Sequence, residues 1–480
     1  MRFPFLALGI RHKAAGLAIL ALFFAAPGRE TCGVSITQPP PCDLTVSSPE
    51  APLSLSPLLS WKPDFYAVAY EIEIFDALPK ALAPDAADDR AVFRTSEIYT
   101  NAINLPLSAI CSPTPDAPLW WRVRSLNLER QPISPFSDPT SLYTRVGVPS
   151  MAAPVIRSPY DQGNGSVLLY PVYNWVRPHD ASSFEIELYH ENPEETLAAR
   201  PIARLLSPSA ELYDPEPRFG DAVYYWRVRA LDDAGQPLGD WSKAGRFRTS
   251  PSDHWEIAVL GDSISHGGGH ISYGPENLEY SWLHYLTFPA LNLAQSGDIS
   301  RDMRERFERD VVPFHPRYLL IMGGTNDLRS EDFTVDFAIE NMEAIKEKCR
   351  QYGIKPIFLT LPPINPENIA RAFDEPTDPM WREKFAAFND YLRCQPHIDT
   401  ARAFAAYSAD GLLPQWLALD GLHQDIIGRV SRETQSRRRC RGVLSVSPIR
   451  WIILWRRLAA ALFPPARRIH SLCAVRPRGW

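Results

Sequence analysis

The stretch Glu256-Ile-Ala-Val-Leu-Gly-Asp-Ser-Ile-Ser265 decides how the second half of the chain is read. Four apolar residues broken off by Gly-Asp-Ser read as a buried strand ending in a turn, because a strand covered on both faces loses the alternation of a half-exposed one. Further short apolar runs follow at 291–293, 318–322 and 356–361. Between them, at 301–312, 332–352 and 379–394, apolar residues recur at helical spacing, as in Phe337, Ile339, Met342 and Ile345. Alternating strands and helices predict a mostly parallel sheet in an α/β/α arrangement, with sites beyond the carboxyl ends of the strands. Ser263 stands at such an end.

Gly-Asp-Ser by itself is a weak signal, since polar turns follow strands everywhere. Three later stretches fall on the same expected rim: Asn292-Leu-Ala-Gln-Ser-Gly297, Gly323-Gly-Thr-Asn-Asp327 and Asp420-Gly-Leu-His423. Each meets a need of acyl transfer. A serine hydroxyl is a poor nucleophile until a base takes its proton, and His423, oriented by Asp420, is a candidate base. The tetrahedral intermediate needs donors aimed at its oxyanion; the backbone amides of Ser263 and Gly297 and the side-chain amide of Asn326 can supply them.

In these four blocks the chain resembles the SGNH, or GDSL, hydrolase superfamily: Gly261-Asp262-Ser263, then Gly297, then Gly324-Thr-Asn326-Asp327, then Asp420-x-x-His423. The resemblance covers about residues 254–428 and implies a flavodoxin-like α/β/α fold. It implies Ser263 as nucleophile, His423 as base, Asp420 as its partner, and an oxyanion hole of Ser263, Gly297 and Asn326, with no cofactor and no metal. Enzymes of this family act on acetylated polysaccharides, short acyl esters or lysophospholipids. Asp262 and Asp327 read as hydrogen-bonding residues rather than further acids. His266 and His270, in Ser265-His-Gly-Gly-Gly-His270, lack carboxylates or cysteines at ligand spacing and read as part of a flexible loop beside the pocket. Tyr273, Trp282 and the stretch Pro362-Pro-Ile-Asn-Pro366 read as pocket wall or as packing.

Upstream the chain repeats itself. Leu59-Ser-Trp61 precedes Tyr70-Glu-Ile-Glu-Ile-Phe75 at the same distance as Tyr173-Asn-Trp175 precedes Phe184-Glu-Ile-Glu-Leu-Tyr189. Trp121-Arg-Val-Arg124 and Trp226-Arg-Val-Arg229 likewise lead, at equal offsets, to Gln131-Pro132 and Gln236-Pro237. Strict alternation predicts strands with one buried face. Two such copies, at 38–147 and 150–250, are expected to be all-β sandwiches and resemble fibronectin type III modules. Trp61, Trp121, Trp175 and Trp226 are then core anchors rather than a sugar platform, and Glu71, Glu73, Arg122 and Arg124 the solvated face.

The two ends differ from the body. Arg2, Arg11 and Lys13 precede a thirteen-residue apolar run closed by small residues, so 1–28 reads as a cleavable export signal, too short to span a bilayer. Cys32 lacks the small apolar residues expected before a lipid-modified cysteine. From 424 onward there are thirteen Arg and no Lys against Asp425 and Glu433, whereas the chain as a whole carries a formal charge of −6. Gln424 stands where the family usually has proline. The stretch 429–480 reads either as a basic, membrane-surface arm or as a tail whose reading frame was lost after Gly428. Seven cysteines leave pairings such as Cys42 with Cys111 or Cys349 with Cys394 open.

The acidic balance before the tail argues against a nucleic-acid partner. The expectation is a secreted, periplasmic or cell-surface serine esterase acting on acyl or acetyl esters of an envelope glycan or lipid, with glycan or surface contact through the sandwiches. The rival is a noncatalytic adhesion or glycan-binding protein with a relic hydrolase domain.

Overall fold

A computed structural model describes residues 36–425, apart from 37, 65, 112–116, 149–152, 158–167, 271, 287, 406 and 409. The expected leader at 1–28, Cys32, Gly428 and the tail at 429–480 lie outside the described residues. The first β unit runs through β1 (Leu58–Ser60), β2 (Ala69–Phe75), β3 (Phe93–Ile98), β4 (Ala102–Asn104), the short helix α1 (Leu107–Ile110), β5 (Leu119–Leu126) and β6 (Thr140–Leu142). The second holds β7 (Val155–Ile156), β8 (Val172–Val176), β9 (Ser183–Tyr189), β10 (Ala203–Ser207), β11 (Glu211–Tyr213), β12 (Tyr224–Leu231) and β13 (Gly245–Phe247). Each unit has two antiparallel sheets, β3-β2-β5-β6 with β1-β4, and β10-β9-β12-β13 with β11-β8-β7. The repeat recurs in register: Ile72 faces Val123 and Ile186 faces Val228, while Leu126 bridges Pro132 as Leu231 bridges Pro237.

The four tryptophans are core residues. Trp61 lies 5.1 Å from Tyr70 and 6.2 Å from Trp121 between ring centroids, and Trp226 lies 4.8 Å from Tyr173. The charged face differs from expectation. Glu71, Glu73, Arg122 and Arg124 are buried, not solvated. Arg122 pairs with Glu73 at 2.7 Å and Arg124 with Glu71 at 2.5 Å, and both guanidinium groups lie over the Phe136 ring. The cover comes from the β2–β3 connection, whose Ala83 and Ala86 carbonyls accept from Arg122 and whose Asp85 carbonyl accepts from Arg124. The second unit repeats the device with Arg227 and Arg229 on Glu187 and Glu185, over Trp241.

The third body alternates β14 (Ile257–Gly261), α2 (Ser263–His266), β15 (Leu291–Asn292), α3 (Ser300–Glu305), α4 (Phe307–Asp310), β16 (Tyr318–Met322), α5 (Thr325–Leu328), α6 (Val335–Gln351), β17 (Lys355–Leu359), α7 (Pro366–Phe373), α8 (Trp381–Arg393), β18 (His397–Ile398) and α9 (Thr400–Ala405). The five strands pair in parallel in the order β15-β14-β16-β17-β18. The helix expected at 301–312 breaks at Arg306, whose side chain turns into the core. The two-residue β18 is too short for a sequence pattern to register, and α7 begins at Pro366 inside what read as a loop, proline being tolerated in a first helical turn. Cys42, Cys111, Cys349 and Cys394 are free thiols, so neither suggested disulfide forms; Cys349 is buried in α6, which pushes its thiol up to about 12.

The bodies interlock. Leu168, from the second β unit, bridges Asn292 in parallel and extends the five-stranded sheet beyond β15, with the Leu169 amide donating to the Asn292 carbonyl at 2.9 Å. Tyr170 follows into the core of the third body. The first unit touches the loop after α2, where the Tyr273 hydroxyl donates to the Asp64 carbonyl at 3.0 Å, and touches α7 through Glu129 and Arg371 at 3.0 Å. Among the described residues no helix is long and apolar enough to cross a membrane.

Breaking a buried ion pair costs about 3–5 kcal/mol, because the surviving charge is left uncompensated. Glu73→Ala should therefore lower the urea midpoint strongly, while the double variant Glu73→Leu/Arg122→Met should recover most of the loss. Equal stabilities for single and double variants would show that the pair is not desolvated.

Candidate active site

β14 is buried along its whole length and delivers Gly261, Asp262 and Ser263 at its carboxyl end. Asp262 caps α2, its Oδ1 accepting the Ile264 amide at 3.0 Å, so Ser263 opens the first turn with its side chain directed away from the strand. From the far end of the fold, Asp420 and His423 arrive on a loop turned by Gly421. That glycine has φ +78°, and a Cβ there would meet the Asn365 carbonyl oxygen at 2.4 Å, so only glycine fits. Asp420 is buried and spends one oxygen on the amides of Leu422 and His423, both at 2.8 Å. Its other oxygen lies 2.8 Å from His423 Nδ1, and His423 Nε2 lies 2.8 Å from Ser263 Oγ. Phe373, ending α7, stands edge-on to the His423 ring at 6.0 Å.

Gly297 and Asn326 reach the same rim. Gly297 follows β15 with φ +89°. Asn326, at the start of α5, donates to the Asp298 carbonyl at 2.9 Å and accepts from Arg329 Nε at 3.2 Å; Arg329 is held in turn by Glu375 at 2.8 Å. These bonds fix which end of the carboxamide carries its hydrogens. The second amide hydrogen of Asn326 has no protein acceptor among the described residues. Asp327 is buried and accepts from the Ser300 amide at 2.9 Å and its hydroxyl at 2.5 Å, so it ties α5 to the start of α3.

The two histidines after Ser263 do not form a flexible loop. His266 ends α2 and is buried, with Nδ1 2.9 Å from Ser296 Oγ and Nε2 2.8 Å from the Tyr170 carbonyl. His270 is buried as well, its amide donating to Asp425 at 3.3 Å. Tyr273 and Trp282 are buried too, Tyr273 stacked on Tyr280 at 4.9 Å. Sequence reading missed three residues: Arg306, which links the strand ends; Tyr170, which enters from another body; and Asp425, whose carboxylate also accepts the Leu419 amide at 2.7 Å and ties the His423 loop to the loop after α2. Their only sequence signals were a charge on a helix and isolated polar side chains, which specify no partner.

Carboxylates crowd this rim. Burial pushes Asp262 up to about 7, against the Ile264 amide and the nearby His423, which favour its ionised form. Burial likewise lifts Asp298 to about 6 despite Arg306, and raises Asp327 and Asp425. Asp262 Oδ2 has no hydrogen-bond partner among the described residues, which fits a carboxyl that carries a proton.

A family model, that of the GDSL-like Lipase/Acylhydrolase family, matches residues 259–425 and so spans every residue of this rim from Ser263 to His423. Residues 259–425 are a GDSL-like lipase/acylhydrolase domain. The chain is also similar to YqeF, an uncharacterized lipoprotein of Bacillus subtilis (strain 168), 31% identical over 120 residues that cover 23% of this chain and 49% of that protein. The chain thus spans about half the length of the curated relative it matches. Among solved structures, a lipase/acylhydrolase from Enterococcus faecalis is 23% identical with a TM-score of 0.29, over 36% of this chain and 89% of that one. A catalytic mutant of an acetylxylan esterase from Geobacillus stearothermophilus is 22% identical with a TM-score of 0.27, over 35% and 86%.

Asp262 gives a pH signature. Its folded pKa, about 7, exceeds the ordinary 3.8, so between those values the folded domain holds a proton that the unfolded chain has released. Its contribution to stability is therefore present at low pH and lost as pH rises through 7. Asp262→Asn, which imitates the protonated acid, should match wild type in the unfolding free energy read from urea titration near pH 4 and exceed it near pH 8 by on the order of 2–4 kcal/mol. Parallel pH curves for the two proteins would contradict a neutral Asp262.

Proposed function

We propose that the chain is an exported serine esterase cleaving carboxylic esters through an acyl-enzyme. The observation that carries this reading is the unbroken relay Asp420 Oδ2, His423 Nδ1, His423 Nε2, Ser263 Oγ, with 2.8 Å at both links. A carboxylate only accepts, so His423 Nδ1 carries its hydrogen and Nε2 is left as the base toward the serine. Ser263 Oγ attacks the ester carbonyl as its proton passes to Nε2. The oxyanion is met by the Ser263 and Gly297 amides and the Asn326 carboxamide. Collapse returns the proton to the departing alcohol and leaves an acyl group on Ser263. Water, deprotonated by the same nitrogen, then attacks the acyl carbon; the bond to Ser263 Oγ breaks, that oxygen takes the proton back from Nε2, and the acid leaves.

The finer reading is an acyl or acetyl ester of an envelope glycan or lipid. It is supported by the export-signal pattern at 1–28 and by two β units that resemble fibronectin type III modules. The first unit braces α7, which carries Phe373 beside His423, so the outer wall next to the base belongs to two bodies, an arrangement suited to an extended or surface-bound ester.

Hydrolysis of p-nitrophenyl acetate and longer acyl homologues by the full chain tests the reading. Ser263→Ala and His423→Ala should abolish turnover above background, and Asn326→Ala should lower kcat by about 10²–10³ with little change in KM, the usual effect of losing one oxyanion donor. Persistence of turnover in Ser263→Ala would sink the acyl-enzyme mechanism.

A further inference from the structure

We propose that His266 is a positioning residue for the oxyanion hole: its ring holds the Ser296–Gly297 turn in place and is itself anchored on a backbone carbonyl supplied by the second β unit. The inference rests on the reading of Gly297 as an oxyanion donor.

Both ring nitrogens have assigned work. Nε2 lies 2.8 Å from the Tyr170 carbonyl oxygen, which can only accept, so Nε2 carries a hydrogen. Burial pushes the imidazole down to about 4, with the field of Arg306 acting in the same direction and the Tyr170 bond opposing, so the ring is neutral over the working range of most esterases. A neutral ring with its hydrogen on Nε2 offers Nδ1 as an acceptor. Nδ1 faces two donors of one residue, the Ser296 hydroxyl at 2.9 Å and the Ser296 amide at 3.3 Å. Ser296 directly precedes Gly297, so the peptide plane that carries the Gly297 amide starts from the residue the ring holds, and Gly297 turns the chain beyond it with φ +89°.

The anchor is rigid on its far side. The Leu169 amide is bonded to the Asn292 carbonyl, the Tyr170 ring is buried in the hydrolase core, and the Tyr170 hydroxyl binds Asp310. Asn292 closes the circuit, its side-chain amide donating to the carbonyls of Ser265 and His266 at 3.0 and 3.1 Å. The ring therefore has one orientation, given by a segment that lies about a hundred residues upstream in another body. Ser263 sits three residues before His266 on α2, so the nucleophile and the oxyanion turn are spaced by the same short helix.

Two near-isosteric substitutions separate the two bonds. In His266→Asn the carboxamide oxygen reaches the position of Nδ1 and keeps the acceptor for Ser296 while losing the donor to Tyr170. In His266→Gln the terminal amide reaches the position of Nε2 and keeps the donor to Tyr170 while losing the acceptor for Ser296. In the full chain with p-nitrophenyl acetate, His266→Gln should lose kcat about 10–100-fold with KM within about twofold, the range expected when an oxyanion donor is displaced rather than removed. His266→Asn should stay within about threefold of wild type although its melting temperature falls. The inhibition constant of an arylboronic acid, which forms a tetrahedral adduct on the serine, should rise in His266→Gln in step with the loss of kcat. Ser296→Ala, at a half-buried position that does not threaten folding, should lose kcat severalfold. A merely structural histidine would instead order the variants by melting temperature. Wild-type kcat in His266→Gln or in Ser296→Ala, or equal losses in the Asn and Gln variants, would overturn the proposal while leaving the triad intact. Turnover that survives Ser263→Ala, or a wild-type chain without turnover, would overturn the esterase reading and this inference together.

Discussion

The guanidinium of Arg306 is the tie on which the arrangement of the rim depends. It is buried, and its hydrogens go to the Gly261 carbonyl at 3.2 Å, the Leu293 carbonyl at 2.6 Å, Asp298 at 2.6 Å and Asp310 at 3.1 Å. Gly261 ends β14 and Leu293 directly follows its neighbour β15, and Ser263 and Gly297 come within a few residues of each. A planar fork with fixed donor directions thus sets the separation of two strand ends, which a flexible lysine could not do. The same group neutralises two buried carboxylates, so its loss would strand both. The helix break at Arg306 is the local cost of turning the side chain inward.

Around that tie the hydrolase domain concentrates acidic groups in low-dielectric surroundings. Asp262, Asp298, Asp327 and Asp425 all have raised pKa values caused first by burial; Asp262, Asp327 and Asp425 hold backbone amides or a hydroxyl in or beside the loops of the rim, and Asp298 holds Arg306. They act as clamps on turns. A carboxyl can take two amides at once, as Asp420 does for its own loop.

The β units are joined to the hydrolase domain by more than a linker. Leu168 adds to the edge of its sheet, Tyr170 enters its core, and the first unit braces the loop after α2 and the end of α7. Sheet edges are reactive surfaces, and covering β15 with a segment of the preceding unit both caps that edge and couples the bodies. The ion pairs of the β units serve a different purpose: in the first unit the β2–β3 connection closes over the charged side chains, which then require one another, and in the second the Trp241 ring lies over the two guanidinium groups.

Much of this was legible in residues 254–423. Four apolar runs give four of the five parallel strands, and the motif order brings Ser263, Gly297, Asn326, Asp420 and His423 to one rim, because local hydrophobic pattern dictates strands and a parallel sheet collects its loops at one end. The tandem repeat likewise announces two β units and their tryptophan cores. What sequence could not supply were the partners of single polar residues. Glu73 and Arg122 alternate as exposed residues do, and only the loop folded over them buries them. Arg306 looks like a surface charge on a helix until two strand ends and two carboxylates converge on it. His266 looks like a loop histidine until Tyr170 arrives from a different body. Periodicity reports which face of an element is apolar; it carries no information on which distant group will lie against that face, and that is settled only when the chain closes in three dimensions.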